Sequence, residues 1–400
     1  MPLSSQPQAA APCTVCGGAD VKTFMELRAV PVHCNVLWET KQQALQAPRG
    51  DMLLGFCARC GHVYNVMFDP RLMEYTQAYE NSLHFSPRFQ AYAEALVDGL
   101  ILRHNIRNKT VIDIGCGKGD FLSLVCERGE NKGFGFDPSY QPEHMDPRRA
   151  ERMTIIRDFY SPKYKSYAAE LVTCRHVLEH IQHPVPFVGS VREAVLDRPS
   201  TVVFWEVPNA LFTLKDLGIW DLIYEHCSYF TAPSLARALC AAGLDVTRVE
   251  ELYEGQFLGV EGRPSPEGQG QLQTILAVSP AEIEPLVDAF EEKYRTHVNL
   301  WKSRFAAWHA EGKSVVTWGG GSKGVTFLNT LRDPSPVRAV VDLNPRKAGK
   351  FVPGTGQEIV SPEALRQISP DAVIVMNPIY VDEITEHVRS LGLKGEIHLV

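Results

Sequence analysis

Lys109-Thr-Val-Ile-Asp-Ile-Gly-Cys-Gly-Lys-Gly-Asp120 is the stretch that decides the fold. A short apolar run, Val111 to Ile114, enters a loop bearing Gly115, Gly117 and Gly119. A helical apolar pattern follows at Phe121, Leu122, Leu124 and Val125. Strand, tight turn and helix N-terminus together let backbone amides approach a ligand closely. Asp113 within the strand separates this loop from a plain Gly-x-Gly-x-x-Gly dinucleotide turn. Downstream, Gly133 to Phe136 reads as a second strand ending in Asp137, where an acid would hold a ribose diol.

Outward from this pair, strands and helices alternate, which predicts a parallel sheet. Met153 to Ile156 reads as a third strand, ending at Arg157-Asp158-Phe159. Leu171 to Cys174 is the fourth, followed by Arg175-His-Val-Leu-Glu-His180. Thr201 to Trp205 is the fifth, ending in Glu206-Val-Pro-Asn209. Asp245 to Val249 and Gln273 to Val278 are expected to close the sheet, with Arg263 to Gly270 as a loop between them. Ligands of a doubly wound sheet sit beyond the strand C-termini, and these motifs share that edge. The loop and downstream acid resemble the binding site of class I S-adenosylmethionine (SAM)-dependent methyltransferases. The resemblance implies SAM as cofactor, with Asp113, Gly115, Gly117, Asp137, Pro138, Asp158, Phe159, Arg175 and Ser86 as its binding residues. Asp158 would accept from the adenine amino group and Phe159 would pack on the ring.

Length and composition set the bounds. Four hundred residues exceed one typical core and predict two or three domains. A net charge of -7 argues against non-specific nucleic-acid binding. No apolar run reaches the roughly eighteen residues of a membrane span. Residues 1–12 are rich in Ala, Gln, Ser and Pro and lack the charged and apolar regions of a signal peptide, so a cytoplasmic location is expected.

Four of the ten cysteines form two pairs, Cys13-Thr-Val-Cys16-Gly and Cys57-Ala-Arg-Cys60-Gly. Each resembles a zinc knuckle, its glycine tolerating φ > 0. Two facing knuckles give a closed, structural four-thiolate zinc site, and zinc would supply folding energy to a segment with little core. His33, Cys34 and His62 are spare donors, read as packing or surface residues.

From Asp69 to Leu102 the sequence turns helical, with Ser86 as N-cap and Pro87 in the first turn. The interruption carrying Tyr79 and His84 reads either as a turn packing two helices or as a lid. Further on, Ile223-Tyr224-Glu225-His226-Cys-Ser-Tyr229-Phe230 crowds aromatic and ionisable groups, and a His beside an acid can serve as general base. A long amphipathic helix, Pro280 to Gly312, then leads to a strand, Ser314 to Trp318, and the loop Gly319-Gly-Gly-Ser-Lys323-Gly324. Val337 to Val341 is a second strand ending in Asp342 and Asn344. The remaining length fits half of a dinucleotide fold, either a second nucleotide site in which Lys323 meets a phosphate, or a docking unit.

Zinc knuckles, a SAM domain, Glu225-His-Cys-Ser-Tyr-Phe230 and a half-Rossmann unit occur in that order. Over nearly its whole length the chain resembles the three-domain sugar C-methyltransferases of deoxysugar biosynthesis. Ser322 to Gly324, Asp342-Leu-Asn-Pro345 and Lys350-Phe-Val-Pro-Gly354 share in the likeness. It implies an α/β architecture: residues 1–68 binding zinc, 69–280 forming a class I Rossmann-like methyltransferase domain with a helical lid at 69–102, and 281–400 a linker helix and C-terminal Rossmann-like domain. The family deprotonates carbon beside a keto group of a nucleotide-linked sugar, and the enolate attacks the SAM methyl. That implies catalytic roles for Tyr79, His180, Tyr224, Glu225 and His226, with Glu225 orienting His226, and substrate contacts from Asn209, Ser322, Lys323 and Asn344. Where the family reads Tyr-His-Glu-His, this chain is one residue shorter at Tyr224-Glu225-His226. The expected enzyme is a monomer or homodimer acting on a small molecule, without nucleic acid or membrane. The alternatives are the same scaffold methylating another small molecule at carbon, oxygen or nitrogen, and a non-catalytic nucleotide-binding protein.

Overall fold

The computed structural model describes residues 12–73, 85–141 and 150–400. β1 (Val21–Pro31), β2 (Arg49–Cys57) and β3 (Val63–Asn65) form an antiparallel sheet. The two Cys-x-x-Cys turns flanking it use one device. Gly17 N–H donates to the Cys13 carbonyl and Gly61 N–H to the Cys57 carbonyl. Both glycines sit at positive φ, 68° and 74°, where a side chain would be strained.

β4 (Thr110–Ile114), β5 (Lys132–Phe136), β6 (Met153–Ile156), β7 (Leu171–Arg175) and β8 (Val202–Pro208) run parallel. Val111, Ile112 and Ile114 of β4 are all buried, as a strand covered on both faces requires. The chain then leaves this sheet: β9 (Ser228–Tyr229) pairs antiparallel with β3 of the N-terminal sheet. β10 (Leu244–Leu252) and β11 (Phe257–Pro264) return and complete the order β10-β11-β8-β7-β4-β5-β6, with β11 antiparallel to both neighbours. The helix Pro87–His104 begins on the Ser86 cap, as its sequence predicts, and packs on this sheet.

The closing strand differs from expectation. It is β11, and residues 273–278 form no strand: Leu272 makes a single bridge to Val246, and Ile275 is 94% exposed. β11 went unread in the sequence, since Gly259 and Gly262 interrupt its apolar pattern and its last two residues fall in the expected 263–270 loop. A Cβ at Gly259 would come within 2.5 Å of Leu252, and one at Gly262 within 2.8 Å of the Asp245 carbonyl. Close strand approach requires glycine at both. Between them Glu261 is buried against Arg103 and His104, whose Nε2 lies 2.7 Å from its carboxylate.

The helix Pro280–Ala310 follows, capped by Ser279 with Glu282. Its buried side chains Ile283, Val287, Phe290, Tyr294, Val298, Trp301, Phe305 and Trp308 recur every three or four residues, one continuous stripe. Phe290 meets Phe24 of β1 with ring centroids 5.9 Å apart, while Trp301 and Phe305 meet Phe327 at 5.1 and 5.7 Å. Beyond it, β12 (Val315–Trp318), β13 (Val337–Val341), β14 (Ile359–Val360), β15 (Ala372–Val375) and β16 (Glu396–Leu399) form a parallel sheet ordered β14-β13-β12-β15-β16. Among the described residues, no helix is long and apolar enough to cross a membrane.

Candidate active site and metal centre

The glycine loop after β4 is held at both ends. Gly115 N–H donates to the Phe136 carbonyl, and Gly117 N–H to Asp137 Oδ2 at 2.9 Å. Asp137 Oδ1 also accepts from the Ser139 amide and hydroxyl. Gly115 (φ 69°) has no room for a side chain, because a Cβ would fall 2.2 Å from Val177. Gly117 (φ 54°) opens onto space, with nothing within 4 Å of its Cβ position. A backbone open to a ligand, beside a strand-tip carboxylate, fits a ribose-bearing cofactor. Pro138 follows, its carbonyl accepting from Arg157.

Asp113 is buried within β4 and accepts the Thr173 hydroxyl at 2.7 Å. Burial pushes its pKa up to about 6 against that hydrogen bond and the nearby Arg175 charge. Asp158 holds Lys163 and Tyr164, and these contacts lower its pKa to about 2. Beside it, Phe159 is 73% exposed. Ser86 is committed elsewhere: its hydroxyl caps the 87–104 helix and donates to Glu383 of the helix Val381–Ser390. Arg175 is likewise engaged, with Glu206 at 2.7 Å and the Phe121 ring at 4.0 Å.

At the same sheet edge, the turn after β7 carries a charge network that the sequence did not single out. Glu206, fully buried at the end of β8, takes Arg175, the Tyr92 hydroxyl and His176 Nε2, the last at 2.8 Å. Burial opposes its ionisation, but Arg175 and His176 win and hold its pKa near 2. His176, in the left-handed region (φ 54°), also lies 3.5 Å from Glu179 Oε1. Burial alone would lower its pKa; the two carboxylates raise it to about 9. Four ionisable residues within the six of Arg175 to His180 were the available signal.

His180 and His226 come together with ring centroids 4.9 Å apart, edge to face. His180 Nδ1 lies 2.9 Å from the Glu225 carbonyl oxygen, so Nδ1 carries the proton it donates there. Burial first, then the charges of His180, His176 and Lys323, push the His226 pKa well down and keep the ring neutral. Lys323, on the helix Ser322–Leu331, reaches across to Asp221. The C-terminal unit thus delivers a cation to the imidazole pair.

Several expected site residues face elsewhere. Glu225 does not orient His226: its fully buried carboxylate accepts the Cys34 amide at 2.9 Å and lies 3.8 Å from His33. Tyr224 and Glu225 form a turn closed by the His226 amide on the Ile223 carbonyl, so a His-acid neighbour pair in sequence is no dyad in space. Tyr224 is buried on Gly50 and exchanges hydrogen bonds with the Asp69 backbone, a packing role. Asn209 caps the helix Ala210–Leu214 and donates to the Gly255 carbonyl, which ties its side chain into the fold. Asn344 accepts from the Arg346 amide within its own turn, and Ser322 opens its helix. Tyr79 and His84 lie outside the described residues.

On the N-terminal sheet the four thiols converge. Cys13 and Cys60 sulfurs are 3.6 Å apart, Cys16 and Cys57 sulfurs 3.5 Å, and all four lie within 4.8 Å of one another. Four tetrahedral ligands at zinc–sulfur distance would sit about 3.8 Å apart. The four thiols are free rather than paired in disulfides, and the donor set fits one thiophilic cation. His62 is buried beside them, stacked between Tyr64 and Phe230, its pKa lowered to about 3 by burial.

Comparison with known proteins adds independent findings. Residues 87–249 match the methyltransferase-domain family, and residues 281–399 match the C-methyltransferase C-terminal domain family. The C-methyltransferase NovU of Streptomyces niveus is 27% identical over 301 residues, covering 71% of this chain and 70% of that protein. Among solved structures, an O-methyltransferase family protein from Burkholderia thailandensis is similar at 18% identity. That likeness covers 46% of this chain and 62% of that one, under two thirds of its length, at a TM-score of 0.33. The 1,6-didemethyltoxoflavin-N1-methyltransferase of the same organism, with S-adenosylhomocysteine bound, is 15% identical over 51% of this chain and 96% of its own, at 0.35.

The Glu206 network yields a pH-dependent stability. Its folded pKa of about 2 lies below the ordinary 4.5, so its stabilisation is present above pH 4.5 and is lost as pH falls toward 2. Glu206→Gln should cost on the order of 3 kcal/mol at pH 7. Urea unfolding should find the gap to the unsubstituted protein narrowing below pH 4.5; a gap constant down to pH 2.5 would contradict the assignment.

Proposed function

Because this chain is a SAM-dependent methyltransferase that joins a methyltransferase domain to a C-methyltransferase C-terminal domain, we propose that it methylates carbon beside the keto group of a nucleotide-linked sugar, by way of an enolate. The observation carrying this reading is the neutral His226 imidazole, set edge to face on His180 at the ligand edge of the sheet. A neutral amine acceptor already has a free lone pair, whereas a carbon beside a keto group has no electron pair to offer until a positioned base takes its proton.

Asp137, the Gly115–Gly117 backbone, Asp158 and Phe159 are the residues assigned to hold SAM. Bound there, SAM supplies an electrophilic sulfonium methyl that takes up the carbon's electron pair as its carbon–sulfur bond breaks. On the acceptor side His226 takes the α-proton, leaving the C–H electron pair as the enolate. His180 and Lys323 lie where positive charge or a donated proton would stabilise the enolate oxygen. The parallel C-terminal sheet, with its Gly319–Gly324 loop opening the 322–331 helix, supports a nucleotide-binding role for that unit. The division at 1–68, 69–280 and 281–400 assigns zinc to the first unit, SAM to the second and the nucleotide to the third.

Three outcomes are expected. Metal analysis should find about one zinc per chain, a content that falls in a Cys57→Ala, Cys60→Ala protein. Asp137→Ala should weaken SAM binding by about 1.5–3 kcal/mol in calorimetry, the value of a charge-assisted hydrogen bond, with little change in unfolding. The decisive test pairs labelled SAM with a panel of nucleotide-linked keto-sugars, the products being read by mass spectrometry. His226→Asn should leave SAM affinity intact, lower turnover by about 10²–10⁴ and slow exchange of the acceptor's α-proton with deuterated solvent. Near-normal turnover in that variant would exclude His226 as base and favour transfer to an atom with a free lone pair, such as an amine nitrogen.

A further inference from the structure

Glu225 is turned away from His226, yet another carboxylate faces it. Glu179 belongs to a short 3-10 turn, Leu178–His180, and is only 2% exposed. One oxygen, Oε1, lies 3.5 Å from His176 Nδ1; the other, Oε2, is buried without a hydrogen-bond partner. An acceptor atom of Glu179 and ring nitrogens of His180 and His226 all lie within 4.8 Å of one another. A buried, unpartnered carboxylate oxygen is costly to keep, and here it is kept against two imidazoles.

The surroundings fix the sign of the local field. His176 contributes an imidazolium from the β7 turn, and Lys323, held by Asp221, a cation from the C-terminal helix. Cys174 lies within electrostatic range from β7, and Tyr229 packs its ring on His226 at 6.0 Å. Cys227 donates its thiol to the Glu179 backbone carbonyl, fixing the turn against the His226 segment. The Asp221 and Glu206 carboxylates are committed to Lys323 and His176, whereas Glu179 keeps a carboxylate oxygen without a hydrogen-bond partner and groups with the imidazole pair. Two fixed cations so near also disfavour a metal ion among the three side chains, though their donor atoms lie close enough to hold one.

We propose that Glu179 is a positioning residue for proton transfer, its carboxylate stabilising the imidazolium that His226 becomes on taking the acceptor's proton. This rests on the reading of His226 as base. In the resting site the ring is neutral and the Oε2 lone pairs go unused. Proton arrival creates a cation within reach of the Glu179 carboxylate, so stabilisation grows along the reaction and lowers its barrier. An opposite charge at this range raises a pKa by about one to three units. Removing it lowers the pKa of His226 and weakens the base.

The test compares Glu179→Gln, Glu179→Asp and His226→Asn in the full-length, zinc-loaded protein with the accepted keto-sugar. Glu179→Gln should lower kcat by about 10–10² with KM for the acceptor and SAM affinity unchanged. The acidic limb of its α-proton exchange profile should move about one unit or more toward lower pH. Glu179→Asp, retaining the charge, should recover part of the rate and most of the limb. Combined with His226→Asn, Glu179→Gln should cost nothing further. An unmoved acidic limb in a folded Glu179→Gln protein would overturn the proposal. So would a second equivalent of metal, beyond the cysteine site, that disappears with Glu179. Loss of the His226→Asn effect would instead remove the base assignment itself, a separate result.

Discussion

The apolar stripe on the 280–310 helix is the interaction on which the rest of the architecture depends. It buries side chains against β1 on one side and against Phe327 on the other, with Trp220 of the central unit joining the same core. Each large side chain so buried contributes about 1.5–3 kcal/mol. One helix therefore fixes the N-terminal sheet, the 210–229 segment and the C-terminal unit at once. His226 sits on the second of these and Lys323 on the third. Their proximity reflects packing through this helix, since no single sheet carries both.

Charge at the ligand edge is ordered with equal strictness. From Arg175 through Glu206 and His176 to Glu179, cationic and carboxylate side chains alternate over groups that are buried or nearly so. Each partner offsets the desolvation of its neighbour, which is how Arg175, Glu206 and His176 remain charged at this edge. The line ends at Glu179, whose Oε2 has no partner, beside the neutral His226 imidazole. Tyr92 on the 87–104 helix ties its hydroxyl to the same Glu206, so the helix that covers the sheet is joined to this line.

Much of this was legible in the sequence. Met153–Ile156 and Val337–Val341 stand where apolar runs between turn residues placed them, because buried parallel strands carry their signal in composition. The convergence of two Cys-x-x-Cys turns and the Ser86–Pro87 helix start were likewise written locally. β11 was not, since its glycines serve contacts that only the folded sheet reveals. Side-chain direction escaped as well. Tyr224, Glu225 and His226 are consecutive, yet they serve the Asp69 backbone, the Cys34 amide and the imidazole pair in turn. Sequence reading assigned chemistry to the neighbourhood; which member faced the site depended on the backbone path. The Glu179 oxygen was invisible for the same reason.

The two-residue strand β9 carries a consequence for how such a protein can be divided. Ser228–Tyr229 completes the N-terminal sheet, and just beyond it Thr231 donates its hydroxyl to the carbonyl of Gly61 in the second cysteine turn. The thiol centre and His226 are therefore joined by a few bonds of backbone and one hydrogen bond, although nearly the whole methyltransferase sheet lies between them in sequence. The segments follow one another like beads, but in space they are spliced. Recombination at residue 68 would carry away the partner strand of the segment that holds the imidazole, so lineages with this architecture must exchange its halves together or re-invent the seam.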